Sequence, residues 1–560
     1  MNSDTRLIDR EMQEDWLVDQ AWLGLMREAD DSFRRAPAGS DLDPFAELDR
    51  LGLTQKNGLT PFHVFSPEYL AAYRGSRRAR VLQKEDLVGA IKGLGPEASE
   101  GELKSALSEM NIEVSTLPSS RRAVLSSWNP FALIDGLPDA PVKPVSWFSL
   151  QWAQAILLDV PNTMEILNAA GSSTLIMQVV DAHGVGVADA KVVLVFNQQK
   201  RAGIEDATDA NGFVTLSTPA GQAVIDAIAV VPKHSHWNFA QTRWTVPSGT
   251  ATISLQPLGQ GHLGQFKYLG AADPAAGAGV RCGVVDSGVG PHPALQVSGG
   301  ANFLTAEEED PQDVGSFKDN GTGHGTHVAG IISAKDLGNG QPFGIAPAVE
   351  LFSYRVTARL AREASSYAIE DAINAAVKQD CHLINLSLGL TYRDEDVEAA
   401  VERAYDAGCV VIAAVGNDPS SNIMFPAASP KTIGVAALGD KARIAKNTMS
   451  ALAFRQPPTG IHADDFVANF NSQGPEVKVA APGVGIISCA PGGQFYAAED
   501  GTSMATPVIT GYAAKLLASR QDILTMQGKS RADAICKLVL ETCDRLGFPM
   551  ADVGNGHPKP

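Results

Sequence analysis

The alternation of apolar and polar positions changes character twice along this 560-residue chain. From about residue 262 onward, short apolar runs alternate with amphipathic stretches. Val280–Val285, Leu351–Val356, Leu383–Leu388, Val410–Val415 and Thr432–Ala437 have the length and β-branched content of buried strands. Between them Ile369, Ile373 and Val377 recur at helical spacing, as do Val397, Ala400, Val401 and Ala404 before a stop at Gly408. Strand and helix in alternation predict an α/β fold with a parallel sheet covered on both faces. Ligands bind such sheets at the carboxyl ends of the strands.

The stretch 165–258 has a different period. Leu175–Val180, Lys191–Phe196, Phe213–Ser217, Ala223–Val231 and Thr250–Leu255 are short β-rich runs. Turn sequences such as His183-Gly184 and Asp209-Ala210-Asn211-Gly212 separate them. This reads as a small β-sandwich. The first 160 residues mix helical and irregular patterns, and a mixed, mainly helical region is expected there. Ser99 and Glu102 have the spacing of a capping box ahead of a helix carrying Leu103, Leu107 and Met110. The run Arg77-Arg78-Ala79-Arg80 reads as a solvated face. All seven tryptophans precede residue 250, and a glycine-rich connection lies near 258–275. Three domains follow: 1–160, 165–258 and 262–560.

Composition narrows the function classes. Hydrophobic residues make up 44% of the chain, charged residues 19%, and the formal net charge is −18. With no basic block to offset that charge, a nucleic-acid partner is not expected. No apolar run approaches the roughly 20 residues of a membrane span. Asp4, Asp9, Glu11, Glu14 and Asp15 stand where a secretory leader would be basic, and Trp16, Leu17, Trp22, Leu23 and Met26 suggest an amphipathic docking helix. The six cysteines form no C-x-x-C pair and no zinc spacing. They read as small hydrophobes in a reducing, cytoplasmic setting.

Three polar motifs interrupt the apolar pattern after residue 280. Asp286 ends a strand in Val285-Asp286-Ser287-Gly288, where metal ligation or a phosphate site would be equally natural for a lone aspartate. His324 opens a helix in Gly323-His324-Gly325-Thr326-His327, and glycines on both sides let backbone approach the imidazole. His327 reads as a packed structural histidine, because the pair lacks the glutamate of H-E-x-x-H. Ser503, in Gly501-Thr502-Ser503-Met504-Ala505, precedes an apolar helix whose free N–H groups would stabilise an oxyanion; simple N-capping fits a lone serine as well.

Taken together, in the order Asp, His, Ser, these motifs resemble those of the subtilisin-like serine peptidases, the subtilases of peptidase family S8. Asn385-Leu-Ser-Leu-Gly389, Ala413-Ala-Val-Gly-Asn417, Phe425-Pro-Ala-Ala428, Asn469-Phe-Asn-Ser-Gln-Gly474 and Ala480-Ala-Pro-Gly483 extend the resemblance over about 280–520. The resemblance implies a catalytic triad of Asp286, His324 and Ser503, with Asn417 in the oxyanion hole. Ser387, Leu388 and Gly389 would pair with extended substrate, while Gly416 and Met424 would line the pocket (S1) for the residue whose carbonyl is attacked (P1). Met424 and the neighbouring Asp418 imply a P1 preference for medium-sized or basic residues.

No cofactor is required by that chemistry, and no metal is assigned. Structural calcium is common in the family, yet no acidic loop here offers a convincing ligand pattern, and Glu307–Asp310 reads as a solvated face. The expected partners are a polypeptide substrate and a regulatory protein engaging residues 1–258. The sandwich resembles the immunoglobulin-like or transthyretin-like modules of bacterial enzymes. The N-terminal half shows no obvious match to a subtilase propeptide; a helix and strand over about 100–117 are the one candidate piece, and the sandwich would separate it from the catalytic domain, unlike the usual arrangement. An extra stretch at 440–466 is expected either to overhang the leaving-group side of the cleft near Phe470 or to pack as surface decoration far from it. A serine endopeptidase restrained by its N-terminal half is the leading expectation; a non-catalytic binding scaffold is the alternative. The G-x-S-x-G of α/β-hydrolases is missing around Ser503.

Overall fold

The computed structural model describes residues 172–197, 202–259 and 273–559 apart from a few loop positions, and shorter stretches between 78 and 151. Residues 1–77 lie outside the described residues. The expected docking helix at Trp16–Met26 falls there, and most of the glycine-rich connection falls in the undescribed 260–272.

Within 78–151 the described backbone is mainly strand, while the rest of the region expected to be mainly helical lies outside the described residues. β1 (Arg78–Gln83), β2 (Glu113–Leu117), β3 (Arg122–Ser127) and β4 (Lys143–Pro144) form one sheet in the order β2-β3-β1-β4. The arginine run taken for a solvated face therefore enters a strand paired on both sides. Its charged sequence hides the strand, because period-2 patterning needs one apolar face. Residues 105–108 are helical and bury Leu107. β5 (Trp147–Leu150) leaves this sheet and joins another.

Residues 172–257 build two further sheets. β7 (Lys191–Asn197), β8 (Ala202–Ala207), β10 (Val224–Val231) and β11 (Phe239–Thr245) pair in the order β11-β10-β7-β8. β6 (Ser172–Val180), β9 (Phe213–Pro219) and β12 (Ala251–Ser254) pair as β12-β6-β9. Alternate residues of both, including Met177, Leu194, Leu216, Ile228 and Ile253, share one apolar core. The run patterns miss β8, whose Gly203, Glu205 and Asp206 lack a strand signature, and β11, interrupted by Gln241 and Arg243.

The remainder is a nine-stranded sheet, mostly parallel. Its strands are β13 (Arg281–Asp286), β14 (Val297–Asn302), β15 (Glu350–Arg355), β17 (Leu383–Leu386), β19 (Val410–Ala414), β20 (Thr432–Asp440), β21 (Phe454–Thr459), β22 (Asp465–Ala468) and β23 (Val479–Pro482). Between them come two short strands, β16 (Glu363–Ser365) and β18 (Leu388–Gly389). The hairpin β24 (Ile486–Ala490) and β25 (Phe495–Glu499) follows.

The central strands are buried on both faces, which explains their unbroken apolar runs. Helices α2 (Ser366–Lys378) and α3 (Glu395–Asp406) cover one face. α1 (His324–Ser333) and α5 (Thr502–Ala518) cover the other. Asp394 caps α3, its carboxylate accepting from the N–H groups of Asp396 and Val397 at 3.1 and 3.0 Å.

The 440–466 stretch is tied down at both ends. β22 pairs antiparallel with β20, and β21 pairs with β22, extending the sheet. Between them α4 (Met449–Leu452) meets the sheet of β7, β8, β10 and β11. Met449 packs on Val193, Val195 and Ala240, its N–H donates to Asn238 Oδ1 at 2.7 Å, and Asn447 C=O accepts from Ala240 N–H. A second joint buries Trp237 among Ala294, Ala445, Ile487 and Tyr496, with His234 stacked on Phe495 at 3.8 Å between ring centres. The stretch expected as a flap over the cleft thus carries the β-rich module. Its apolar residues Met449 and Ile444 answer surfaces elsewhere in the chain, which composition cannot reveal.

Candidate active site

Asp286, His324 and Ser503 are each fully buried at the carboxyl-end side of the central strands. β13 ends on Asp286, α1 begins on His324, and Ser503 is the second residue of α5. α1 and α5 pack against each other on one face of the sheet. Asp286 Oδ1 accepts from Ser287 N–H at 2.7 Å and lies 2.8 Å from His324 Nδ1. That contact orients the imidazole. The glycine after the histidine is required by space: a Cβ on Gly325 would sit 2.3 Å from Gly288 O and 3.1 Å from Asp286 Oδ1. Asp319 fixes the approach to His324, accepting from Gly321 N–H, Gly323 N–H and Thr326 Oγ1 at 2.8–2.9 Å.

His327 is buried one turn further on, its Nε2 3.1 Å from the carbonyls of Ile486 and Ala497. Burial lowers its pKa to about 3, so it stays neutral and structural.

Ser503 Oγ donates to Ser387 C=O at 2.8 Å, and Ser387 Oγ donates back to Ser503 C=O at 2.9 Å. Asn417 is anchored through its Oδ1, which accepts from Thr502 N–H at 2.9 Å and Thr502 Oγ1 at 3.0 Å. Its Nδ2 is buried and has no hydrogen-bond partner among the described residues. A held amide with a spare donor is what a developing oxyanion needs.

The cleft is filled by β5. It runs antiparallel to β16, pairing Ser149 with Glu363, and antiparallel to β18, pairing Leu150 with Leu388. Leu150 N–H donates to Arg362 O at 2.9 Å and Gln151 N–H to Ser387 O at 3.1 Å. Gln151 C=O accepts from Ser503 N–H at 3.3 Å. Phe148 is fully buried, 6.1 Å from Phe425 between ring centres. Ser387, Leu388 and Gly389 are therefore brought to an extended strand, and β16 flanks it on the other side. Gln151 and Glu363–Ser365 escape sequence reading, because they act through main-chain groups that any residue possesses.

Gly389 and Gly416 converge on Met424. A Cβ on Gly389 would lie 3.0 Å from Met424 Cβ, and one on Gly416, whose φ is +110°, 2.7 Å from Met424 Cγ. Asp418 Oδ1 is taken by Ser420, accepting from its N–H at 2.9 Å and its Oγ at 2.6 Å.

Glu308 and Glu309, expected as a solvated face, knit their loop together. Glu309 Oε1 accepts from Asn302 Nδ2 and Gly315 N–H, and Glu308 Oε2 accepts from Thr305 N–H. Among the described residues, no group of three or more His, Cys, Asp or Glu side chains is arranged to hold a metal. All six thiols are free, four of them buried. No helix among the described residues is long and apolar enough to cross a membrane.

A thermostable alkaline protease of Halalkalibacterium halodurans is 33% identical over 330 residues, 59% of this chain and 75% of its own length. Subtilisin E of Bacillus subtilis is 34% identical over 263 residues, which span 46% of this chain and 60% of that protein. Subtilisin DY of Bacillus licheniformis is 35% identical over 256 residues, 46% of this chain and 82% of its own. The profile of the Subtilase family matches residues 277–556, half of the sequence, and the chain belongs to that family of serine endopeptidases.

Proposed function

We propose that this chain hydrolyses extended polypeptide through an acyl-enzyme on Ser503, and that its own N-terminal half restrains it. His324 serves as general base and then general acid, Asp286 orients it, and Asn417 Nδ2 with Ser503 N–H receives the oxyanion. One observation carries the reading: a peptide carbonyl, that of Gln151, is hydrogen-bonded to Ser503 N–H while its own N–H meets Ser387 O. Substrate would enter as a strand between β16 and β18, where β5 lies now.

Restraint follows from the same contacts. A tethered segment competes at an effective concentration of about millimolar, so incoming polypeptide must displace it. The sheet β1–β4 would present β5 to the cleft, and an outside protein that binds residues 1–258 would draw it out. Residues 172–257 serve as an appended immunoglobulin-like or transthyretin-like sandwich, part of the 165–258 domain, anchored through Trp237 and Met449. Six unpaired thiols favour a reducing, cytoplasmic setting.

Digestion of casein tests the activity. The wild-type chain is expected to degrade it and Ser503→Ala to leave it intact; equal digestion by both contradicts the proposal.

A further inference from the structure

We propose that the β-rich module of residues 172–257 is part of the catalytic unit, and that Asp500 is the positioning residue through which it holds Ser503 in line. This rests on the reading of Ser503 as nucleophile and His324 as base.

Asp500 stands three residues before Ser503 and is 3% exposed. A carboxyl group that deep needs donors on its oxygens. Its Oδ1 accepts from Gly485 N–H at 2.6 Å, and its Oδ2 accepts from Ser450 Oγ at 3.0 Å. The next residue continues the seam, Gly501 N–H donating to Gly483 O at 2.8 Å. The turn into α5 is thus fastened to two segments, and one of them, α4, belongs to the stretch 440–466.

α4 has four residues, too few for helical hydrogen bonds to hold its pose alone. The module supplies the rest. Asn238 Oδ1 accepts from Met449 N–H at 2.7 Å, and Ala240 N–H donates to Asn447 O at 2.9 Å. The Met449 side chain packs on Val193 and Val195. Asn238, Met449 and Ser450 are all buried, so a lost partner leaves a polar atom unpaired. Contacts therefore run without a gap from Asn238 through Met449, Ser450 and Asp500 to the turn that carries Ser503.

A second arm reaches the base. Ser235 N–H donates to Tyr496 O at 2.7 Å, His234 stacks on Phe495, and a Cβ on Gly485 would lie 3.1 Å from the Trp237 ring. Tyr496 and Phe495 belong to the hairpin β24–β25, whose Ile486 and Ala497 carbonyls hold His327 on α1. The turn of that hairpin abuts the start of α1: a Cβ on Gly323 would lie 3.3 Å from Pro491. Both catalytic elements are backed by the module, and the serine arm passes through a single carboxyl group. Displacing a reacting atom by about 1 Å costs about 10²-fold in rate. Loss of these contacts would let the 500–503 turn relax and lower kcat. KM would hold, because β16 and β18 bind the substrate strand.

Full-length variants test this with a short peptide substrate, fluorophosphonate labelling of Ser503 and thermal unfolding. Asp500→Ala is expected to lower kcat by about 10²-fold. Asp500→Asn, whose amide still accepts from Gly485 N–H and donates to Ser450 Oγ, should stay within about threefold of wild type. Asn238→Ala and Ser450→Ala lie outside the triad and the cleft, and should lower kcat by about 3–30-fold with KM unchanged. In an Asp500→Ala background the Asn238→Ala loss should nearly vanish, because both act along one route. Should Asp500→Ala not fold, Ser450→Ala and Asn238→Ala, alone and combined, decide in its place by the same non-additivity. Variants that unfold earlier but turn over at the wild-type rate below their Tm would reduce the contacts to a structural joint and overturn the inference. Additive losses, or an effect on KM alone, would overturn it too. The proposed function stands in those cases, since wild type still labels at Ser503 and cleaves. If wild type neither labels nor cleaves, both fall.

Discussion

Ser503 and Gln151 are hydrogen-bonded to each other, yet the two regions that bring them together are built on different terms. On the peptidase side, each residue is placed by a buried element end: Asp286 by β13, His324 by α1, Ser503 by α5, with Asn417 clamped by Thr502. Their side chains have no chemical substitutes. On the other side, β5 is held by main-chain hydrogen bonds to Arg362 and Ser387 and by two apolar anchors, Phe148 and Leu150. Almost any extended segment with apolar residues at those positions would satisfy the same geometry. A chemical site is thus specified by identity, and its occupant by shape and register.

Substitutions should expose that asymmetry. Ser503→Ala removes the nucleophile and is expected to lower kcat for a peptide substrate by about 10⁶-fold, the scale known for subtilisin. Residual activity near wild type would show that the nucleophile lies elsewhere. Asn417→Ala should lower kcat by roughly 10²–10³-fold with KM little changed, again on the subtilisin scale. A change confined to KM would mean that Asn417 binds substrate and does not serve the transition state. Met424→Gly should raise kcat/KM for Phe or Tyr at P1, relative to medium-sized or basic residues, by about 10-fold. An unaltered P1 profile would remove Met424 from the pocket. The exposed Ser149, which contributes to β5 through its backbone alone, can become alanine with activity and stability within about twofold of wild type. A large effect there would mean that side-chain identity also matters in the occupant.

The same asymmetry governs what could be read from the chain beforehand. The sheet strands β13, β15, β17, β19 and β20 and the helices α2 and α3 were legible because burial on one or both faces forces a periodic apolar pattern, which β14, with Gly299 and Gly300, lacks. Asp286, His324, Asn417 and Ser503 were legible through their fixed local sequences, including the glycine that makes room beside His324. Gln151 carried no signal: a lone glutamine in Ser-Leu-Gln-Trp acquires a role only through partners about 240–350 residues away in sequence. β16, in Glu363-Ala-Ser365, was silent for the same reason. Met449 and Ile444 looked like parts of a mobile flap because the surface that covers Met449 comes from β7 and β11, which no local window contains.

The most direct measurement is the rate at which a fluorophosphonate labels the full chain, with the modified peptide located by mass spectrometry. The account predicts a label on Ser503, slow while β5 fills the cleft. In a folded Phe148→Asp/Leu150→Asp variant, whose charges should drive the strand out, it predicts labelling at least about 10-fold faster. A label on another residue, or equal rates in the wild type and the variant, would contradict it.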